Sequence, residues 1–225
     1  MLVNIRNGMD LNVEISGQGP PMLLLHGNGE DHHIFDTIAE KLQQQFTLYA
    51  VDSREHGKST KTGTTFNYDD MAEDIHLLIN QLGLKEVNIV GFSDGGIIAL
   101  LLGIRQEVYL NKIASLSPNL SPKDWKKKPL QYLEQKYKET KDPAFYLMLN
   151  EPNIDPKALK KIRIPSLITA GENDLFYRSV YRTIEKQIPD ATLKIIKEHD
   201  HSSYIIDTDL LYTDFMQFFE DEKNK

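Results

Sequence analysis

The chain has 225 residues, enough for one domain with a sizeable core, and an ordinary globular mix of 40 % hydrophobic and 26 % charged residues. A net charge of −7 argues against a nucleic-acid partner, and the lack of cysteine excludes disulfides and thiolate metal sites. Residues 1–10 include charge and no long apolar run, and no stretch approaches the roughly 18 apolar residues of a membrane span. Neither a signal peptide nor a membrane contact is expected, and a cytoplasmic location is.

Leu2-Val3-Asn4-Ile5 and Leu11-Asn12-Val13-Glu14-Ile15 alternate around Asn7-Gly8, which predicts an antiparallel hairpin. Gly17 to Pro21 breaks the pattern, and Met22-Leu23-Leu24-Leu25 reads as a strand buried on both faces, ending at His26-Gly27-Asn28-Gly29. Ile34, Phe35, Ile38, Ala39 and Leu42 have helical spacing, and His32 and His33 ahead of them lack a metal-ligand pattern and read as surface or rim residues. Leu48 to Val51 is the next strand. Asn67 caps a helix with an apolar stripe of Met71, Ile75, Leu78, Ile79 and Leu82, closed by Gly83. Val87 to Val90 and Ile113 to Leu116 are short buried strands, with an apolar helix from Ile97 between them. From Asn119 to Arg163 the pattern changes: Asp142-Pro143 and Asp155-Pro156 each begin a short helix, and Leu130, Leu133 and Tyr137 suggest a third. Lys126-Lys127-Lys128 is a solvated charge run. Ser166 to Ala170 and Leu193 to Ile196 are the last strands, flanking a helix from about Arg178 to Gln187; a final helix holds Leu210, Leu211, Phe215, Phe218 and Phe219.

Gly91-Phe92-Ser93-Asp94-Gly95 joins a predicted strand to a predicted helix. A turn that sharp strains its central residue, admits only small residues two positions either side, and holds the Ser hydroxyl clear of the sheet beside the positive end of a helix. The stretch resembles the nucleophile elbow of the α/β-hydrolase family. The resemblance extends to His26-Gly27-Asn28, which matches that family's oxyanion loop. It also covers Asp52-Ser53-Arg54-Glu55-His56-Gly57-Lys58-Ser59, where Glu55 replaces the usual Gly and His56 joins the loop's anchoring network. Gly171-Glu172-Asn173-Asp174 and His199-Asp200-His201-Ser202-Ser203 follow the two last strands, with Asp200 where the family has Gly. The four site motifs lie in family order, and the resemblance spans essentially the whole chain.

The resemblance implies an α/β fold with a mostly parallel twisted sheet of about eight strands and helices on both faces. Residues 1–118 and 164–225 would form the core, and residues 119–163 a small helical lid. It implies a triad of Ser93, Asp174 and His201, with Glu172 and His199 as the second candidates for acid and base. The backbone N–H groups of Asn28 and Asp94 would form the oxyanion hole, and Phe92, Asp94, Trp125, Tyr146 and Phe176 are pocket candidates. A Ser hydroxyl is a poor nucleophile at neutral pH, so an imidazole must remove its proton and a carboxylate must hold the imidazole tautomer. A Ser at the elbow argues against the dehalogenase and epoxide hydrolase branches, whose elbow bears a carboxylate. The expected activity is hydrolysis of a small carboxylic ester, possible variants being a thioester, lactone or activated amide, with no cofactor and no metal. The alternatives are C–C bond cleavage or elimination on the same fold, and a non-catalytic ligand receptor. For Asp94 two roles compete: a helix-opening carboxylate, or a partner for a cationic group on the substrate.

Overall fold

The protein is described as a computed structural model, over residues 1–220. Eight strands form one sheet in the order β1-β2-β4-β3-β5-β6-β7-β8. β1 (Leu2–Arg6) and β2 (Met9–Ser16) make the expected hairpin, and β2 also runs antiparallel to β4 (Thr47–Val51). From β4 onward the sheet is parallel, through β3 (Pro21–Leu25), β5 (Val87–Phe92), β6 (Leu110–Leu116), β7 (Ser166–Gly171) and β8 (Ala191–Ile196).

Strand residues alternate between two cores, because successive side chains leave a strand on opposite faces. Leu23, Leu25, Ile89, Ile113 and Ile168 pack on one side with α2 (Tyr68–Gln81), α3 (Asp94–Arg105) and α6 (Arg178–Gln187). Met22, Leu24, Val90, Ala114 and Leu167 pack on the other with α1 (Asp36–Leu42) and α7 (Tyr212–Glu220). Each such buried Leu or Ile contributes roughly 1.5–3 kcal/mol. The continuous apolar runs of the central strands are thus the signature of a sheet covered on both faces.

Several local expectations shift by a few residues. Ile34 and Phe35 lie in a 3₁₀ turn, His32–Phe35, ahead of α1, and β6 begins at Leu110 rather than Ile113. Leu210 and Leu211 precede α7 instead of lying within it. Asn67 does cap α2, accepting from the Asp70 N–H at 2.7 Å. Between β6 and β7 run α4 (Lys127–Thr140), α5 (Pro143–Asn150) and a 3₁₀ segment, Pro156–Lys161. Asp142 and Asp155 cap the last two through the N–H groups of Ala144 and Lys157. Among the described residues, no helix is long and apolar enough to cross a membrane.

The register brings the strand ends level: Leu25 lies opposite Gly91, Gly91 opposite Ser115, and Ser115 opposite Ile168. After β3 the chain goes to β4 on one side, then crosses to β5 on the other. The crevice beyond the C-terminal ends of β3 and β5 is therefore a topological switch point, the place where open α/β sheets bind ligands.

Candidate active site

Ser93 occupies that crevice in a strained conformation, φ 51° and ψ −110°, between the last residue of β5 and the first of α3. The strain, of order 1–3 kcal/mol, is held by close backbone packing. A Cβ on Gly91 would meet the Gly95 carbonyl oxygen at 2.1 Å, and one on Gly95 would meet that of Leu25 at 2.1 Å. Both obstacles are main chain and cannot turn aside. Gly95→Ala is therefore expected to lower stability by about 3 kcal/mol, read as a shift in the urea midpoint; an unchanged midpoint would show that the elbow can open.

The Ser93 hydroxyl lies 3.1 Å from Nε2 of His201. Nδ1 of His201 lies 2.7 Å from Oδ1 of Asp174, which follows β7. The expected three residues are thus brought into one hydrogen-bonded chain, from three different strand ends. The competing histidine, His199, turns outward to the Ser203 hydroxyl at 3.1 Å, and Glu172 accepts from the Glu198 N–H. Asp200 stands where glycine is usual and accepts from the N–H groups of Ser202 and Ser203, which fixes the turn that presents His201. Those bonds hold its carboxyl below the usual range.

Asp174 is almost fully buried. Burial alone would raise its pKa, but the His201 ring and the Ser117 hydroxyl hold it below the ordinary carboxylate range. Ser117, at the end of β6, donates to Asp174 Oδ2, and its hydroxyl lies 2.7 Å from that of Tyr204. Lys126 Nζ donates to the Asp174 carbonyl at 2.6 Å, and the Lys126 N–H to that of Leu175 at 2.9 Å. Nothing local in the sequence marks Ser117, Tyr204 or Lys126, since Ser117 and Lys126 reach Asp174 across the fold and Tyr204 reaches it only through Ser117.

The loop after β3 is built to aim an N–H. The Gly27 carbonyl accepts from Nδ1 of His26 at 2.7 Å and from the Glu30 N–H at 3.4 Å. In a trans peptide the following N–H, that of Asn28, points the opposite way. Nε2 of His26 accepts from the Ser53 N–H, so the ring is neutral with its proton on Nδ1; burial pushes its pKa down to about 4. The second N–H, that of Asp94, is the first of α3 and has no carbonyl one turn back to receive it. Gly27 packs closely here: a Cβ would meet Glu30 Oε2 at 2.8 Å and Ser93 Cβ at 3.1 Å.

The Asp94 side chain answers the question the sequence raises. Oδ1 accepts from the Tyr68 hydroxyl at 2.7 Å and Oδ2 from the Asn28 amide at 3.0 Å, and the residue is only 3 % exposed. Burial raises its pKa, against those two hydrogen bonds. The carboxylate is committed to tying the β3 loop to the elbow, which of the two competing roles favours the structural one over a partner for a substrate cation. Asp94→Ala is expected to lower kcat by about tenfold, equally for cationic and neutral esters; a loss confined to cationic esters would restore the cation-binding role.

Of the other pocket candidates, Phe92 and Phe176 pack against the His201 ring at centroid distances of 5.1 and 5.4 Å, and Trp125 packs edge-on to Phe176 at 4.6 Å. Tyr146 does not join them: it is 41 % exposed and turns toward Tyr137 of α4. His32 is also misplaced by the sequence reading. It is buried and gives both its N–H and Nδ1 to Asp52, while His33 is exposed beside Asp36. Asp31, His32 and His33 place three ligand-type atoms within 4.8 Å of one another, but each ring already gives Nδ1 to a carboxylate. Asp52 is held down to about 2: burial opposes this, but the N–H groups of Lys58 and His32 and the His32 ring prevail. Arg54 reaches Asp74 through both Nε and Nη2, and His56 joins Arg54 and Gly29. Glu55 takes φ 64°, which explains the usual glycine, and its carboxylate accepts from Thr62 and Gly63 in compensation.

Residues 20–146 match the family model of the alpha/beta hydrolase fold, and the chain belongs to that family. It is 40 % identical over 85 residues to a 2-(acetamidomethylene)succinate hydrolase of Mesorhizobium japonicum, covering 38 % of this chain and 31 % of the relative. It is 34 % identical over 93 residues to a soluble epoxide hydrolase of a Corynebacterium, covering 41 % and 32 % respectively. The matched stretch thus spans about a third of these curated relatives. The enol-lactonase structure from Burkholderia xenovorans superposes with a TM-score of 0.80 at 19 % identity, over 96 % of this chain and 98 % of that one, a likeness of fold. Both of these curated relatives are named as hydrolases.

Proposed function

We propose that the protein is a serine hydrolase that cleaves a small carboxylic ester through an acyl-enzyme on Ser93. The observation that carries this reading is the unbroken chain from the Ser93 hydroxyl through His201 to the buried Asp174. Asp174 is acceptor-only when ionised, so it fixes the proton on Nδ1 of His201 and leaves Nε2 free to take the Ser93 proton. Attack moves a pair from the Ser93 oxygen to the carbonyl carbon and the carbonyl pair to its oxygen. The N–H groups of Asn28 and Asp94 receive that oxyanion, a donor pair whose members are each worth about 3 kcal/mol in such sites. His201 then protonates the leaving alcohol, and a water activated by the same nitrogen releases the acid.

A serine at the elbow supports ester chemistry over the epoxide opening in the name of one relative, since epoxide opening of that type uses a carboxylate nucleophile. The segment 119–163 serves as the lid, anchored at its start to the Asp174 loop through Lys126 and through Trp125 against Phe176. The reading places the enzyme in the cytoplasm. Covalent labelling by a fluorophosphonate, together with turnover of a p-nitrophenyl ester chain-length series, tests it. Labelling confined to Ser93 with turnover is the expected result; an unlabelled, inert protein would leave a non-catalytic receptor.

A further inference from the structure

Glu30 is a carboxyl that the triad and the oxyanion hole do not use. Its Oε2 accepts from the Gly27 N–H at 3.0 Å, and both that oxygen and Ser93 Cβ lie within 3.1 Å of the point where a Gly27 Cβ would sit. The carboxylate is therefore a near neighbour of Ser93 across Gly27. On its other side it forms part of the wall of a cleft of about 790 Å³, with His33, His56, Lys61, Phe66 and Ile206.

The remaining carboxylates of that wall are already engaged or fully hydrated. Asp31 caps the 3₁₀ turn through the His33 N–H, Asp142 caps α5, Glu55 takes Thr62 and Gly63, and Asp207 is exposed. Glu30 alone among them is half-buried beside the nucleophile with a single N–H partner. A carboxylate has room for about four acceptor bonds, so a partly desolvated one with one donor is a seat for a further donor or cation. The acidic surroundings would also draw a cation inward.

We propose that Glu30 is a specificity-determining residue, and that the substrate of this site is an ester bearing a cationic group which pairs with the Glu30 carboxylate. This rests on the serine-hydrolase reading and names the substrate class for it. Burial pushes the Glu30 carboxyl up to about 7, against the Gly27 N–H and the His201 ring. The preference for a cation should therefore appear as pH rises through neutrality. Glu30 faces His201 and Asp94 on the nucleophile side, Asp31 on its own loop, and His33, Glu55, His56, Lys61 and Asp207 around the cleft.

The test uses two pairs of esters, each differing only in trimethylammonium against tert-butyl, on the acyl side in one pair and the alcohol side in the other. The cation is permanent, so only the protein titrates, and ionisation of His201 cancels in the ratio of kcat/KM within a pair. In one pair the ratio should favour the cation about tenfold near pH 8 and fall to parity near about pH 5.5. Glu30→Gln, whose amide oxygen can still accept from Gly27, should give parity at every pH. Parity in the unaltered enzyme, or a preference that survives in Glu30→Gln, overturns the proposal. Calorimetric binding of the same pairs to Ser93→Ala reads the preference without turnover, so the proposal stands or falls even if ester hydrolysis itself fails.

Discussion

Ser93→Ala is expected to reduce ester turnover by about a millionfold, to the level set by binding and the oxyanion N–H groups alone. The substitution deletes one oxygen. The Ala methyl occupies the Cβ position serine already fills, so stability, read from the urea midpoint, should change by less than about 1 kcal/mol. Wild-type turnover with every ester tried would remove Ser93 from the mechanism. A lost midpoint would show instead that the variant is misfolded and its inactivity uninformative.

His201→Ala should cost nearly as much, because members of a triad act as a unit: without the imidazole the Ser93 hydroxyl keeps its proton. His199→Ala should change turnover by less than about threefold, since that ring lies outward against Ser203 and touches none of the reacting groups. Steady-state kinetics of the two variants side by side decides the matter. An active His201→Ala with an inert His199→Ala would exchange their roles. His201→Ala also leaves Asp174 buried without its main donor, so some loss of stability is expected with it, larger above the carboxylate pKa than below.

What the sequence reveals about this site follows from how local each signal is. Ser93 is legible because the glycines two positions either side record the close approaches around it, one within the elbow itself and one to the end of β3. Asp174 and His201 are legible as strand-end residues in the right order. The resemblance already prefers them to Glu172 and His199, and the fold adds where the second candidates go: His199 turns out to Ser203 and Glu172 to the Glu198 N–H. The two-sided sheet is legible from its unbroken apolar strands. The supports are a different matter: Ser117, Tyr204, Tyr68 and Glu30 come to the site from four separate segments, and no spacing along the chain encodes those meetings. Asp94 was visible as an anomaly, a charge next to an oxyanion. Its explanation lies 26 residues upstream in Tyr68, a residue that on the helix pattern alone is one more apolar anchor. Tyr146 failed as a pocket residue because α5 turns it toward α4, a rotation that an eight-residue apolar helix does not reveal.

The strut from Asn28 through Asp94 to Tyr68 has a consequence for how the protein could be altered. It joins the β3 loop to the elbow, whose Asn28 and Asp94 N–H groups the proposed mechanism uses, and roots them in α2, a helix of the core. On that mechanism the two N–H groups are held together as one fitting. Libraries aimed at new substrates should leave the strut intact and diversify the cleft walls and the helices between β6 and β7. Variation there changes what is admitted without detuning the chemistry, whereas variation in the strut should yield catalysts that are uniformly slow toward every ester offered.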